Sequence, residues 1–442
     1  MLDKNRQVQA ATTGSHIALG FLICAIASLF YCYEYLLRII PGIIQPELRD
    51  AFGHISAAAF GNLSAYYYYA YTPMQLPVGI LMDRYGAHKL LTLACFLCAL
   101  GSAAFAYVDS MIVASLGRFL VGFGSAFAFV GVLSLASAWL PRRFFSMTAG
   151  VVTTLGMLGA ILGEIGVTVL IRHIGWHTVL YIAAGIGLVL TLIIAFFVKD
   201  APLKDDHEKL SLDNTFWQKV TAILREPQIW LVGFVGSLLY LSLSVFAEIW
   251  GKSYLIVGHG LSDIAAAQAV SMVFLGWAVG APMMGLLSDM LGKRVLPIIV
   301  GAFLGMFSIF VLLYAKTLSL FEIDLLLFSY GLFCSTEVII FALAKESSSS
   351  NITGTVLAVV NLLVMLGGVI FQPLVGWLLD RVWGGQWLHH ERFYSGTEYT
   401  VVLSILPLAL LLVAILCFFL KEPAQKGHEL DELSFESKEQ FT

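Results

Sequence analysis

Charged side chains are scarce in this sequence. Only 12% of its 442 residues are Asp, Glu, Lys or Arg, whereas 59% are hydrophobic, and the mean hydropathy is +0.86. One soluble core cannot hide that much apolar surface, so the composition excludes a globular protein in water and indicates a polytopic membrane protein. The net charge of -4 is small and gives no basis for a nucleic-acid partner.

Motifs for catalysis or cofactor binding are lacking too. The sequence has no phosphate-binding loop, no nucleophile with a matching base and no cluster of metal ligands. This excludes a recognisable ATP-driven pump and predicts neither an enzyme nor a cofactor nor a metal site. The six cysteines all fall in apolar runs, which is typical of small hydrophobic residues in helices and argues against a disulfide framework.

Long apolar runs are what the sequence has in abundance. A helix needs roughly 20 apolar residues to cross the hydrocarbon core, and about 12 such runs can be marked off. The fold class predicted is therefore an all-α membrane protein with twelve transmembrane helices. The predicted spans are 17–41, 58–82, 89–108, 112–139, 145–171, 177–198, 228–250, 264–288, 295–315, 319–343, 354–379 and 399–420.

The distribution of basic residues sets the orientation. An even number of spans puts both termini on one side, and if that side is the cytoplasm most of the 25 Lys and Arg lie in cytoplasmic segments. The positive-inside rule selects this arrangement, so we expect cytoplasmic termini and a cell membrane, most simply a bacterial inner membrane. The basic residues then left to outer segments are Arg49, Arg172, Lys252, Lys316, Arg381 and Arg392.

A charged segment in the middle of the chain suggests the domain boundaries. Residues 199–227 separate a half at 1–198 from a half at 228–420, and residues 421–442 form an acidic tail that we expect to be disordered. Within the linker, apolar residues recur at helical spacing and predict a short helix on the membrane surface. These residues are Phe216, Trp217, Val220, Ile223 and Leu224.

The halves share a motif. GILMDRYGAHK begins at Gly79, and GLLSDMLGKR begins at Gly285. Asp83 then aligns with Asp289, and the same shift of 206 residues separates both pairs (285 − 79 and 289 − 83). Such a repeat predicts two related halves, the construction of many secondary transporters.

The first copy resembles the cytoplasmic loop signature of the major facilitator superfamily, and the second copy sits where that family has a weaker one. The resemblance covers nearly the whole chain and implies two pseudo-symmetric six-helix halves. It also implies that these loops latch the cytoplasmic side, with the glycines letting helices approach closely and the charges pairing across the contact. The gate residues so implied are Gly79, Asp83, Arg84, Lys89, Gly285, Asp289 and Arg294.

Span four carries GRFLVGFGSAF, which is similar to a second signature of the same family. Its arginine is Arg118, four residues before Gly122. Span five lacks the Gly-Pro pair that marks the proton-coupled drug antiporters of the family, so an exporter of that branch is disfavoured.

Ionisable residues inside spans are costly, so each is a candidate for function. In the family that the chain resembles, spans one, four, seven and ten line a central cavity, and five of the six candidates fall there. Glu248, near the outer end of span seven, is favoured as a simply solvated residue, and the alternative is a gate or a residue that binds a substrate amine. The six are Glu34, Arg38, Arg118, Glu164, Glu248 and Glu337.

Glu34 and Arg38 are four residues apart and therefore share a helix face. One interpretation is a plain internal ion pair. The other is a site in which Arg38 binds a substrate carboxylate in a bidentate contact while Glu34 takes up a proton. An arginine in the first span is similar to that of organic-anion symporters in the superfamily. We assign proton coupling to Glu34, with Arg118 and Glu164 as further candidates.

Polar residues on three other spans are candidates for substrate binding. Tyr67, Tyr71 and Gln75 recur every four residues in span two and predict a polar, aromatic stripe. Asn361 lies in the glycine-rich span eleven, where close packing is the alternative explanation. Glu337 in span ten, beside two hydroxyl residues, is the candidate from the second half.

The first hypothesis is a secondary transporter that moves a small carboxylate-bearing solute by alternating access, with protons as the coupling ion. The solute is an organic anion or a zwitterion such as an amino acid or small peptide. A facilitative uniporter or an exporter of a small polar metabolite is the second hypothesis, and a transport-inactive receptor on the same fold is the third. The partners expected are the solute, protons and the lipid bilayer, with a monomeric chain.

Overall fold

The computed structural model describes residues 2–107, 110–141, 144–200, 214–347, 352–388 and 391–422. Within these ranges the chain is helical apart from short connections and one two-stranded hairpin, β1 (Trp387–Leu388) paired antiparallel with β2 (Glu391–Arg392). Residues 201–213 of the predicted linker, residues 423–442 of the predicted tail, and the adjacent arginines Arg142 and Arg143 lie outside the described residues.

The first half contains nine α-helices and one π-helical turn in the described residues. They are α1 (Leu2–Ile43), α2 (Gln45–Ala51), α3 (Ala57–Met74), α4 (Val78–Tyr85), α5 (Ala87–Ala106), α6 (Met111–Trp139), α7 (Phe145–Leu162), the π turn Gly163–Val167, α8 (Thr168–Ile174) and α9 (Trp176–Phe197).

The linker helix and the second half follow. They contain α10 (Asn214–Leu224), α11 (Pro227–Leu241), the π turn Ser242–Trp250, α12 (Gly251–His259), α13 (Asp263–Leu291), α14 (Val295–Tyr314), α15 (Leu320–Cys334), the 3-10 turn Ser335–Glu337, α16 (Val338–Glu346), α17 (Thr353–Val382), α18 (Gly396–Leu403) and α19 (Ile405–Cys417).

Eleven helical stretches in the described residues are long and apolar enough to cross a membrane, and they coincide with eleven of the twelve predicted spans. The remaining span, predicted over 58–82, is a pair of consecutive helices, α3 and α4, separated at residues 75–77. Pro77 stands at this break, and proline has no backbone N–H to continue a helix. The prediction of one continuous helix there was therefore wrong, although the position of the span was right.

Three membrane helices contain a turn that is not α-helical, and each turn holds a buried glutamate. Glu164 lies in the π turn between α7 and α8, Glu248 in the longer π turn between α11 and α12, and Glu337 in the 3-10 turn between α15 and α16. Such interruptions re-aim side chains and free backbone groups, and they are frequent at functional sites. The irregular turns thus coincide with three of the glutamates that the sequence predicted as functional candidates because they are charged residues within spans.

Equivalent glycines support the internal repeat. A Cβ atom on Gly122 of α6 would stand 2.0 Å from the carbonyl oxygen of Tyr67 on α3, and one on Gly331 of α15 would stand 2.1 Å from that of Val273 on α13. Only glycine permits backbones to cross this closely. The same helix pair therefore crosses in the same way in both halves, as the repeated motif predicts.

The linker helix α10 forms where the spacing of apolar residues predicted it. Phe216, Val220 and Ile223 are buried, whereas Trp217 and Leu224 are exposed. The buried face packs against α11 and α17. The helix itself is confirmed, and its place on a membrane surface stays a prediction.

Candidate functional site

A cavity of about 1030 Å³ opens at one end of the bundle, which we call the terminal end because α1 begins and α19 ends there. Asp83 of α4 and Lys219 of α10 line the wide part of the cavity, and Arg38 of α1 and Tyr240 of α11 line its inner part. At the opposite end of the bundle, which we call the far end, the two halves are in contact. In the part of the chain that the structure describes, the cavity therefore opens at the terminal end, whereas the halves meet at the far end.

Arg38 is the centre of the polar cluster at the inner end of the cavity. Its Nη2 donates to Glu34 Oε1 at 3.1 Å, its Nε to the Tyr67 hydroxyl at 2.9 Å, and its Nη1 to the Tyr240 hydroxyl at 2.9 Å. The ion pair that the i, i+4 spacing predicted is thus formed. Tyr240 comes from the second half, so this arginine joins the two halves.

A second carboxylate, which the spacing of residues could not reveal, neutralises the same guanidinium. Glu248 Oε1 lies 3.9 Å from Arg38 Nη1, and both of its oxygens accept from the Tyr68 hydroxyl at 3.1 and 2.9 Å. Glu248 is only 1% exposed, so the interpretation of a solvated residue was wrong. The π turn at this point of span seven directs the carboxyl group into the interface between the halves.

Aromatic rings surround the guanidinium of Arg38. Its Cζ lies 4.3 Å from the ring centroid of Tyr35 and 5.0 Å from those of Tyr67 and Tyr71. Tyr67 and Tyr71 are stacked, with centroids 5.4 Å apart, as their four-residue spacing predicted. The rings exclude solvent from the guanidinium and fix its plane. The Arg38 side chain is therefore already ordered when a planar anion binds.

Arg118 supports the cluster from behind. Its two terminal nitrogens donate to the carbonyl oxygens of Leu37 at 2.8 Å and Arg38 at 3.2 Å, and its Cζ lies 5.3 Å from the ring centroid of Tyr67. The side chain is 3% exposed and does not line the cavity. Its contacts hold the backbone that carries Arg38 in place.

Other predicted binding residues are spread over the cavity wall. Gln75 accepts a hydrogen bond of 2.7 Å from the Asn361 side chain, which joins span two to span eleven across the two halves. Both residues line the cavity, as does Glu337, which is 5% exposed. Tyr67 lies behind this wall, where it donates to Glu34 Oε2 at 3.0 Å.

Glu164 lies apart from this cavity. It is 1% exposed and does not line the cavity, and one of its oxygens, Oε2, is buried without a hydrogen-bond partner among the residues that the structure describes. Its surroundings belong to the far end, where Lys252 donates to the carbonyl oxygen of Ile43 at 3.2 Å and pairs with Asp263 at 2.8 Å. Lys252 was assigned to an outer segment by sequence but is 5% exposed within span seven, where Asp263 and the backbone compensate its charge.

The residues predicted as gates occupy the terminal end. Gly79 and Asp83 line the opening of the cavity, the guanidinium of Arg84 stacks over the ring of Tyr85, and Lys89 lies in the first turn of α5. The expectation of close helix approach at Gly79 and Gly285 is wrong for this conformation. A Cβ atom at either glycine would meet nothing within 4 Å, because the halves are apart at this end.

The second copy of the motif forms a network inside its own half. Arg294 pairs with Asp289 and with Glu346 at the end of α16, and its backbone N–H donates to Glu422, which follows α19. The Glu346 carboxylate raises the pKa of the Arg294 guanidinium above its ordinary value. In the first half, Asp200 accepts equivalently from the backbone N–H of His88.

The contacts that close the far end were missed by sequence reasoning. Asp380, near the end of α17, accepts from the first backbone N–H groups of α3, at 3.3 Å from Ala57 and 2.9 Å from Ala58. Tyr394 donates to Asp380 and accepts from the same N–H of Ala57, and burial with this carboxylate contact raises the pKa of Tyr394 to about 12. One signal was available, since Asp380 follows Gly376 at the spacing of Asp83 after Gly79.

A second contact between the halves closes the other side of the far end. Arg172 of α8 pairs with Asp263 of α13 at 3.3 Å, and Lys252 of α12 joins this pair while also donating to Thr168 at 3.1 Å. Charges from both halves are therefore shared at this end. Among the described residues there is no group of His, Cys, Asp and Glu that could hold a metal ion.

Comparison with known proteins finds relatives that are named as transporters. A probable sulfoacetate transporter of Cupriavidus necator is 23% identical over 385 residues, which cover 81% of this chain and 87% of that protein. A probable galactarate/D-glucarate transporter of Escherichia coli is 23% identical over 368 residues, 74% of this chain and 81% of that protein. Both are named as probable transporters of organic anions, so these relatives are transporters and not enzymes.

Solved structures show the same fold. A bacterial homolog of the human lysosomal transporter Spinster, in an inward-facing and unoccupied conformation, matches with a TM-score of 0.76 at 14% identity, over 91% of this chain and 97% of that one. The sequence profile of the Major Facilitator Superfamily matches residues 22–372, which is most of the chain. With its helical bundle, its internal repeat and its central cavity, this chain belongs to the Major Facilitator Superfamily of membrane transporters.

Proposed function

We propose that the protein carries a small carboxylate-bearing solute by alternating access and that the movement is coupled to protons. The observation that carries the proposal is the position of Arg38, a buried guanidinium at the inner end of the cavity whose counter-ions are two glutamates. We place the terminal end in the cytoplasm, as the distribution of basic residues favours, and the protein in a cell membrane.

Proton coupling follows from competition for one cation. While Glu34 and Glu248 are both ionised, Arg38 is more than neutralised, and a substrate carboxylate would enter against two negative charges. A proton on Glu34 removes one of these charges and releases Arg38 Nη2 from its carboxylate. The substrate carboxylate can then take this place in a charge-assisted, bidentate contact. Uptake of the proton and of the anion at this site thus favour each other.

The same cluster links substrate binding to the conformational change. Arg38 bonds Glu34 and Tyr67 in the first half and Tyr240 in the second, so its hydrogen bonds span the interface along which the halves must move. A substrate that takes up these hydrogen bonds alters the contact between the halves. A ligand shifts a conformational equilibrium only through such a difference in its contacts with the two states.

Transport in proteoliposomes tests the proposal. With an imposed pH gradient, acid outside, we expect the wild type to accumulate radiolabelled carboxylates from a panel, and Arg38→Ala to lose both accumulation and ligand-induced thermal stabilisation. Glu34→Gln mimics the protonated side chain, so we expect it to exchange solute across the membrane without accumulating it. Glu226→Gln, at the start of α11 and outside the cavity, is the matched control.

The outcomes separate the alternatives. If Glu34→Gln still accumulates solute when driven by the gradient, the proton role of Glu34 is wrong. Counterflow in the wild type that does not depend on the pH gradient supports a uniporter. If no solute of the panel is transported or stabilises the protein, a receptor is supported. Arg118 and Glu164 stay secondary candidates for proton coupling, the first through the backbone of Arg38 and the second at the far end.

A further inference from the structure

Glu337 is the unbalanced charge of the cavity. It lies in the 3-10 turn between α15 and α16, lines the cavity and is 95% buried, since only 5% of it is exposed. Among the described residues it makes no hydrogen bond or ion pair. The hydroxyls beside it are engaged elsewhere, because Ser335 donates to the carbonyl of Leu332 and Thr336 to that of Phe333. A buried carboxylate with no cation beside it points to a partner supplied by a ligand.

The register of the helices places this carboxylate near the Arg38 cluster. A Cβ atom on Gly236 of α11 would stand 3.2 Å from Ile340 of α16, so these two residues lie at one level. The two helices are antiparallel, and three residues, about 4.5 Å, lead from there to Leu239 on α11 and to Glu337 on the other helix. Glu337 is therefore level with the residue next to Tyr240, which binds Arg38.

Aromatic side chains line the same cavity as these two charges. The ring of Trp277 meets that of Tyr240 edge to face, with centroids 5.9 Å apart, and both residues line the cavity together with Phe341. The face of a tryptophan or tyrosine attracts cations through its quadrupole. The cavity thus suits an ammonium group beside Glu337, and in the part of the chain that the structure describes its basic lining residues are Arg38 and, on the linker helix α10, Lys219.

The charges of the site add to this argument. The buried cations here are Arg38 and, behind it, Arg118, and the buried carboxylates are Glu34, Glu248 and Glu337. Once Glu34 is protonated, as the proposed function requires for substrate binding, the two cations balance the two carboxylates that stay ionised. A dianion would then add two uncompensated negative charges, whereas a zwitterion would add none. In a membrane interior, where each uncompensated charge costs several kcal/mol, this difference decides which class of solute fits.

We propose that Glu337 binds the ammonium group of a zwitterionic amino-carboxylate whose carboxylate is held by Arg38. This assignment rests on the proposed function and narrows its solute class. It sets this protein apart from relatives named for sulfoacetate and for galactarate or glucarate, which carry an anionic group at both ends. The distance between the charges of the solute must match the span from Arg38 to Glu337.

Binding measured by calorimetry on the purified protein tests the assignment. The probes are three series of equal chain length, from three to six carbons: ω-amino acids, unsubstituted monocarboxylates and dicarboxylates. We expect one or more ω-amino acids to bind about 10- to 100-fold more tightly than the monocarboxylate and dicarboxylate of the same length. Glu337→Gln should lower that affinity to the level of the monocarboxylate and leave the monocarboxylate itself unchanged.

Asp324→Asn, on the same span but outside the cavity lining, is the matched control and should change none of these affinities. The assignment is overturned if dicarboxylates bind as tightly as ω-amino acids at every length, or if Glu337→Gln leaves the affinity for the best ω-amino acid unchanged. In either case, if Arg38→Ala abolishes the binding that remains, the proposal of a carboxylate carrier still stands. If no series binds, the carrier proposal fails and this assignment with it. Should Glu337→Gln not fold, the comparison of the three series in the wild type still decides.

Discussion

Replacing Asp380 by asparagine should release the far end of the bundle. The carboxylate accepts two backbone N–H groups from Ala57 and Ala58, at the positive end of the α3 dipole, and both of these bonds cross between the halves. A hydrogen bond to a charged group is worth roughly 1.5–3 kcal/mol when buried, and less at the partly exposed edge of a bundle. The pair with Arg392, at 3.2 Å, lies within one half and is not broken by opening.

Asparagine keeps one acceptor and loses the charge, so we expect a loss of about 2 kcal/mol from the closed far end. Because about 1.4 kcal/mol corresponds to a factor of ten, the ratio of open to closed far ends should rise about 30-fold. The measurement is the distribution of distances between spin labels on cysteines placed at Asp50 and Lys316, which are exposed at the far end of opposite halves. Five of the six native cysteines are buried, so labelling can be directed to the new sites.

Glu322→Gln is the control for this experiment. Glu322 accepts the backbone N–H of its own helix N-cap, Ser319, at 2.7 Å, and its hydrogen bonds among the described residues stay within its own half. The control should therefore leave the distance distribution unchanged. If Asp380→Asn also leaves the open and closed populations within about a factor of two of the wild type, the bonds to α3 do not hold the far end closed, and the reasoning from charge and helix dipole is refuted.

Two further predictions concern glycine packing and the loop network. Gly122→Ala should lower the melting temperature and the yield, because its Cβ would collide with the Tyr67 carbonyl and overpacking costs about 1–3 kcal/mol. Gly79→Ala should leave the melting temperature unchanged or raise it, because a Cβ there meets open space. Equal melting temperatures for the two variants would contradict the close approach of α6 to α3 at Gly122. Arg294→Ala should lower the free energy of unfolding by only about 1 kcal/mol in a thermal or denaturant melt, because Glu346 is 36% exposed and surface ion pairs are weak. A loss of several kcal/mol would show that the network is stronger than its exposure indicates.

Local patterns explain what sequence reasoning achieved at the site. Glu34 with Arg38 and Tyr67 with Tyr71 are four residues apart, so helix geometry alone brings each pair together. The break at Pro77 was missed because the apolar composition of the span continues through it. Glu248 was misjudged because counting residues along an ideal helix places it near the outer end, whereas the π turn directs it toward Arg38.

Long-range partners could not be predicted from spacing. Tyr240 lies 202 residues from Arg38, and Asp380 lies 323 residues from Ala57. Such contacts depend on how the two halves pack against each other. A single sequence carries little information about that packing. The sequence marked Glu337 as a candidate, but only the tertiary structure shows that it has no hydrogen-bond or ion-pair partner among the described residues.

The sequence by itself determined the class of protein, the internal repeat and the family, because hydropathy, span length and the motif shared by Gly79 and Gly285 are local properties of the chain. It also determined the pairing of Glu34 with Arg38, since one helical turn separates them. Only the tertiary structure decided which end of the bundle is closed, because closure depends on dipoles and charges that meet across the interface between the halves. It likewise decided the charge balance of the cavity, since burial, rather than residue type, makes an unpaired carboxylate such as Glu337 costly.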